Sequence, residues 1–179
     1  MLDKLVAKLH SLWRRLIRPI GRAYYTRLVR GQVAVSGPGL RVNGRSVVYG
    51  GGAVRLGSNV HFNGMTIQGS GGVTIGDNFH SGRNCTIHTV NHRWEGASAL
   101  PYDAEVVKEP VVIGDNVWLG EHVIVLPGAR IGEGAVIGAG AVVSGPIDDL
   151  AVAAGVPARP VKWRDREEYQ RLVREGRFH

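Results

Sequence analysis

Cysteine is all but missing from this chain of 179 residues: Cys85 stands alone. Neither a disulfide framework nor a CxxC metal site can be built from one thiol, and a reducing compartment fits that usage. Long apolar runs are missing too. No uncharged stretch approaches the roughly 18 to 20 residues that span a bilayer, and no small-residue cleavage site follows the N-terminal apolar positions. The expectation is a cytoplasmic protein, soluble or peripheral to a membrane. Acidic residues are scarce at the start of the chain, where residues 1–30 hold Asp3 against eight Lys and Arg, a net of +7. The remaining 149 residues balance at 14 against 14. A basic segment on a neutral body, without a recognised motif, argues against a nucleic-acid partner. The 44% apolar content excludes intrinsic disorder, and the length suits one domain.

What is abundant is glycine, 26 residues, about twice the usual share. Because Gly weakens helices and strands alike, the count needs a structural reason, and a repeat supplies it. Residues 113–148 fall into rows of six: IGDNVW, LGEHVI, VLPGAR, IGEGAV, IGAGAV and VSGPID. The same pattern returns upstream in LGSNVH, FNGMTI, IGDNFH, SGRNCT and IHTVNH, and ten of the eleven rows open with an apolar residue. Period six excludes an α-helix but, as a multiple of two, keeps one face of an extended chain pointing inward. Short strands with a corner every six residues follow, and stacked coils would bury the first-position aliphatics while parallel ladders satisfy the backbone. The phase slips by one residue over Gln68 to Gly72. It vanishes from Arg93 to Pro110, a long excursion of the kind that carries sites on rigid scaffolds.

Three regions are therefore expected. Residues 1–30 form a basic helical segment, with an amphipathic helix over residues 3 to 18 whose stripe includes Leu5, Leu9, Leu12, Trp13 and Leu16. Residues 31–156 form the repeat domain with its loop at 93–110, and 157–179 form a tail with a helix from Arg164 to Arg174. The N-terminal helix has two readings, an interfacial anchor on an anionic membrane or a cap over the open end of the repeat domain.

The run PVVIGDNVWLGEHVIVLPGARIGEGAVIGAGAVV, followed by AVAAGVPARPVKWR, resembles the hexapeptide-repeat acyltransferases, in particular the sugar O-acetyltransferase branch with galactoside, maltose and polysaccharide O-acetyltransferases. The resemblance spans about residues 54 to 164. It implies an all-β fold, a left-handed parallel β-helix, a homotrimer, and acetyl-CoA as donor with no metal. The hand comes from the resemblance alone, since the general preference for crossovers is right-handed. The acceptor it implies is a sugar or lipid-linked glycan precursor.

His92, which closes the last row before the loop in TVNHRW, aligns with the general base of similar enzymes. A hydroxyl attacking a thioester needs a group that removes its proton as the bond forms, and imidazole, titrating near 6.5, can also return it to the departing thiolate. His88 is the rival; about 13 Å separates the two along an extended strand, which weakens an HxxxH metal reading. His61, His80 and His122 are expected at surface or corner positions. The resemblance places Asn63 against the acceptor, and the loop aromatics Trp94 and Tyr102 join it there. On the donor side it implies Trp118 along the pantetheine arm, Gly120, Gly138, Ala139 and Ser144 beside it, and Arg159 and Lys162 at the phosphates. One departure matters. Gln68, Gly69, Ser70 and Gly71 stand where galactoside-type relatives carry an acidic pair, so their acceptor does not transfer to this chain. N-acetyl transfer to an amino sugar, or a metal hydrase like the γ-type carbonic anhydrases, remain as alternatives, along with a noncatalytic solenoid used for assembly.

Overall fold

A computed structural model of the chain describes Val6, Leu12 and residues 18–179. Short parallel strands stack coil on coil into a triangular prism. The first face stacks Val35–Ser36, Val54–Leu56, Val73–Ile75, Val111–Ile113, Arg130–Ile131 and Pro146–Ile147 in that order. The second stacks Arg41–Val42, His61–Phe62, His80–Ser81, Trp118–Leu119, Val136–Ile137 and Ala151–Ala154, with Arg159–Trp163 folded back antiparallel on the last of these. The third stacks Val47–Tyr49, Met65–Gln68, Cys85–His88, Ile124–Val125 and Val142–Val143.

The hexads become these faces because the first and fifth residues of most rows point inward, as Ile113 and Val117 or Leu119 and Val123 do, and stack in columns along the axis. Leu56, Ile75, Ile113, Ile131 and Ile147 form one such column, all buried. The core narrows along the chain, from Phe62 packed edge to face on Phe79 at 5.9 Å to Ala135, Ala141, Ala151 and Ala153. Each fully buried Val, Leu, Ile, Phe or Met contributes about 1.5–3 kcal/mol.

The corners follow from the Gly-x-Asn triplets. Asn59, Asn78 and Asn116 each turn in the left-handed region, at φ of 54, 54 and 58 degrees, a conformation asparagine tolerates better than most residues. Their amides form a ladder, Asn59 Nδ2 donating to Asn78 Oδ1 at 2.9 Å and Asn78 Nδ2 to Asn116 Oδ1 at 3.0 Å. Beside the ladder the coils approach too closely for any side chain. A Cβ on Gly76 would lie 2.8 Å from the Asp115 amide nitrogen, so the glycine is fixed by stacking.

Two parts of the chain depart from the expectations. Helix α1 spans Arg18–Gln32, whereas the helix anticipated over residues 3 to 18 lies outside the described residues except for Val6, Leu12 and Arg18, all helical. α1 closes the open end of the first coil: Val29 is fully buried, Thr26 Oγ1 accepts from the Val42 amide at 3.0 Å, and Gln32 Oε1 accepts from the Val48 amide at 3.3 Å. The first coil, residues 35–53, escaped the hexad pattern because its corners use Gly39, Gly50 and a short 3₁₀ turn at Gly51–Ala53 in place of regular triplets. The phase slip at Gln68 is a tight turn closed by the Gly72 amide donating to the Gly69 carbonyl at 2.9 Å. The C-terminal helix α2 runs Arg166–Arg174, capped by Asp165 Oδ1 accepting from the Glu168 amide at 2.8 Å. Among the described residues, no helix is long and apolar enough to cross a membrane.

Candidate active site

The excursion at the third corner is more ordered than a loop. Val90–His92 pairs antiparallel with Val106–Lys108, and His92 lies opposite Val106. The root of this hairpin is Thr89, fully buried, whose hydroxyl donates to the Gln68 carbonyl at 2.6 Å and accepts from the Gly71 amide at 2.8 Å. Its tip is organised by Asp103, only 8% exposed. The Asp103 carboxylate accepts from Arg93 Nε at 3.0 Å and from a second Arg93 nitrogen, from the Ser98 amide at 3.0 Å, from Ser98 Oγ at 3.4 Å, and from the Glu105 amide at 3.0 Å. The Arg93 guanidinium, then the Ser98 amide, hold that carboxyl well below the usual carboxylate range, while the carboxylate raises Arg93 in turn. Root and tip together fix His92, whose ring is exposed and stacks on Tyr102 with centroids 3.9 Å apart and planes 14° from parallel. Trp94 is exposed on the same hairpin. Sequence reasoning picked out His92, Trp94 and Tyr102 but missed Thr89, Arg93 and Asp103. A charged pair, Arg93 and Asp103, bracketing nine residues of loop was the available signal.

His88 is placed differently. It sits on the third face with Nδ1 3.1 Å from Gln68 Oε1, its register partner one coil away. Gln68, which stands in the expected acidic stretch, is thus engaged with the rival histidine.

Trp118 lies on the second face, 54% exposed. A groove of about 410 Å³ runs beside it, walled by Val117, Trp118, Leu172, Val173 and Phe178, with Arg164 and Arg177 at its edges. No residue of the 90–108 hairpin lines this groove. The far wall is the C-terminal segment, tied to both ends of the asparagine ladder. Asn116 Nδ2 donates to Tyr169 Oη at 2.7 Å, and Asn59 Nδ2 donates to the His179 oxygen at 3.0 Å. The Tyr169 hydroxyl also donates to Glu133 Oε1 at 2.8 Å; burial, and then this carboxylate, push it up to about 12.

The remaining candidates divide between the edge joining the second and third faces and the far end of the prism. Asn63, Gly82, Gly120 and Gly138 each follow the second-face strand of successive coils and so form one column. Asn63 Nδ2 donates to the Ser81 carbonyl at 2.7 Å while its Oδ1 accepts from Asn43 Nδ2 at 3.1 Å, so its amide is spent on the coil stack. A Cβ on Gly120 would lie 2.6 Å from the Ala139 amide nitrogen, and coil packing by itself demands that glycine. Ala139 is exposed. Ser144 follows Val143 at the end of the third face, and Arg159 and Lys162 lie exposed on the antiparallel return strand. None of these three lines the Trp118 groove, whose cations are Arg164 and Arg177. Cys85 is core, its Sγ 3.1 Å from the Gly120 carbonyl and its thiol pushed up by burial.

His61 corrects an expectation. Instead of a surface or corner position it is 7% exposed, packed against His80 with ring centroids 4.2 Å apart and planes 55° from parallel, and its Nε2 has no hydrogen-bond partner among the described residues. Burial, then His80, Arg41 and His179, lower it to about 4. His80 is lowered too, chiefly by burial, and its Nε2 lies 3.1 Å from the His179 oxygen. His122 occupies a corner with φ of 59 degrees, as expected.

A prism of stacked hexads with a histidine hairpin leaving one corner and an apolar, arginine-edged groove on another face defines the hexapeptide β-helix transferase architecture. Residues 110–145 match the family described as bacterial transferase hexapeptide (six repeats). The chain is 37% identical over 146 residues to a putative lipopolysaccharide biosynthesis O-acetyl transferase of Escherichia coli, covering 76% of this chain and 72% of that protein. It is 38% identical over 126 residues to the galactoside O-acetyltransferase of the same organism, covering 63% of this chain and 59% of that protein's length. A solved galactoside acetyltransferase in complex with coenzyme A superposes with a TM-score of 0.70 at 33% identity, over 80% of this chain and 71% of the other. The chain belongs to the hexapeptide-repeat acetyltransferase family, and its fold is the left-handed parallel β-helix.

Proposed function

We propose that the protein is an acetyl-CoA-dependent O-acetyltransferase that acts on a hydroxyl of a sugar or lipid-linked glycan precursor, as a cytoplasmic homotrimer. The observation that carries this reading is His92: an exposed imidazole at the end of a hairpin secured at root and tip, on a family scaffold whose solved relatives hold coenzyme A or acetyl-CoA. The groove beside Trp118 suits a donor with a long, thin, largely uncharged arm and phosphates at its end, since it offers an apolar wall with arginines at the edges.

The His92 hairpin leaves the corner between the third and first faces, while Trp118 occupies the second. One chain therefore presents the base and the donor groove on different sides of the prism. A closed threefold ring sets the hairpin of each chain against the groove of the next and completes three equivalent sites. In each, His92 takes the proton of the acceptor hydroxyl as its oxygen attacks the thioester carbonyl, and the protonated imidazole then delivers that proton to the leaving thiolate sulfur. Tyr102, stacked on the ring, restricts its rotation, and Trp94 beside it offers the acceptor a face on which a sugar can pack.

Incubation of the purified protein with isotopically labelled acetyl-CoA and a panel of sugars and glycan precursors, read by mass, tests the activity. Replacing His92 with Ala or Asn should lower turnover on the order of 100-fold or more with acetyl-CoA binding retained, because general-base catalysis is worth about 10²- to 10⁴-fold. His88→Ala should be milder. Abolished turnover in His88→Ala with normal turnover in His92→Ala overturns the assignment of the base.

A further inference from the structure

The sequence from Lys4 to Gly76 contains eleven Lys and Arg and not one Asp or Glu. Seven of these cations, Arg18, Arg22, Arg27, Arg30, Arg41, Arg45 and Arg55, belong to α1 and the first two coils, and all seven are exposed. The ion pairs among the described residues all lie elsewhere, on Arg83, Arg93, Arg171 and Arg177. At the opposite end of the solenoid the signs are mixed: residues 130–179 hold seven Asp and Glu, among them Glu133, Asp148 and Asp149, against eight Lys and Arg. Cationic charge without any acidic counterpart is thus confined to the end that α1 seals.

Helix α1 has two working faces. One carries Val29, Thr26 and Gln32 onto the first coil, as described above. The other carries Ile20, Tyr24 and Leu28, spaced four apart on one stripe and left 70%, 62% and 38% exposed. Arg22, Arg27, Arg30 and Arg41 flank the helix around a groove of about 480 Å³. A helix used only as a cap has no need of an outward apolar stripe, and a solvated basic face has no need of one either. Aliphatic and tyrosine side chains between arginines are the composition of a helix lying in a lipid interface, the apolar stripe at the acyl boundary and the guanidinium groups at phosphate depth.

We infer that the α1-capped end of the β-helix docks flat on an anionic phospholipid bilayer, with the solenoid axis pointing away from the membrane. The cap and anchor functions then belong to opposite faces of one helix. In the threefold ring, which rests on the proposed function above, the three prism axes run side by side and all three caps face the same plane. Three weak contacts act together, so binding exceeds what one helix provides, and an acceptor embedded in that membrane is held near the sites.

The test uses the full chain and sedimentation with vesicles, either pure phosphatidylcholine or with about one third phosphatidylglycerol, at about 0.1 M salt. Binding is expected to the anionic vesicles alone and to weaken as salt rises. The double variant Arg22→Gln/Arg30→Gln should lose roughly 30-fold in vesicle affinity, about fivefold for each cation. Ile20→Ser/Tyr24→Ser should lose on the order of tenfold through reduced apolar insertion. Both variants should keep the melting temperature and acetyl transfer to a soluble sugar, since all four side chains are exposed and lie outside the active site. Absence of binding by the intact protein, equal binding to both vesicle types, or unchanged affinity in both variants overturns the inference. So does complete displacement by millimolar inorganic phosphate, which would reveal a phosphate site, or displacement by duplex DNA with no effect of Ile20→Ser/Tyr24→Ser, which would reveal a general polyanion surface. A protein that docks but transfers no acetyl group refutes the proposed function and leaves the docking surface standing. Light scattering that gives a monomer refutes its threefold form.

Discussion

Asp103 offers the sharpest separation between holding the fold and holding His92, the proposed base. Its carboxylate receives five hydrogen bonds from Arg93, Ser98 and Glu105, which bracket the loop between the two hairpin strands. Arg93 directly follows His92, and Glu105 directly precedes Val106, the register partner of His92. Asp103→Ala removes every one of these acceptors at once and leaves two backbone amides to water. The strands remain, but the tip that sets their separation and carries Tyr102 against the imidazole is released. A displacement of about 1 Å in a catalytic group costs on the order of 100-fold in rate, so kcat/KM should fall to about that degree. The hexad core lies away from the tip, and the melting temperature should move by no more than a few degrees. Asp103→Asn keeps one acceptor oxygen and should fall between. Steady-state kinetics, a thermal scan and hydrogen exchange over residues 90–108 read the three quantities. Full activity in Asp103→Ala, with faster exchange in the hairpin, would show that His92 needs no such support. A collapse of the melting temperature would show the tip to be part of the folding core.

Two further outcomes concern the fold. Phe62→Ala should cost about 3–5 kcal/mol, visible in denaturant unfolding, because it opens a cavity against Phe79 where the core is widest; a loss under about 1 kcal/mol would mean that the first coils repack. The depressed His61 favours its neutral form in the folded state, so its contribution is full above about 6.5 and declines as pH falls through about 4. His61→Phe should therefore lose less melting temperature than the parent between neutral pH and that range, and superimposable pH curves would refute the role given to its burial.

The repeat was legible because a six-residue period leaves no alternative to stacked extended coils, and the Gly-Asp-Asn corners announced themselves. His92 was legible through its place at the end of the last regular row. The first coil was not, since its turns depart from the triplets, nor was α1, whose residues 18–32 carry a mixed pattern that serves two faces. Thr89 was hidden for a different reason: it acts through backbone groups that the hairpin brings together, which no spacing in the sequence encodes, while Asp103 left only the faint signal of an opposite charge ten positions after Arg93. The wall formed by α2 and Phe178 was also invisible, because its contacts with Asn116 and Asn59 join residues 53 and 120 positions apart.

The division of the site between neighbouring chains is tested most directly by mixing two damaged proteins. His92→Ala and Trp118→Ala are unfolded together in equal amounts, refolded to allow random assembly, and assayed for acetyl transfer beside each variant treated alone. If the base of one chain serves the donor groove of the next, about one site in four draws both intact residues from different chains, and roughly a quarter of parental activity returns. Activity that stays at the average of the two variants, in a mixture shown to have exchanged subunits, would place base and donor within a single chain and contradict the account.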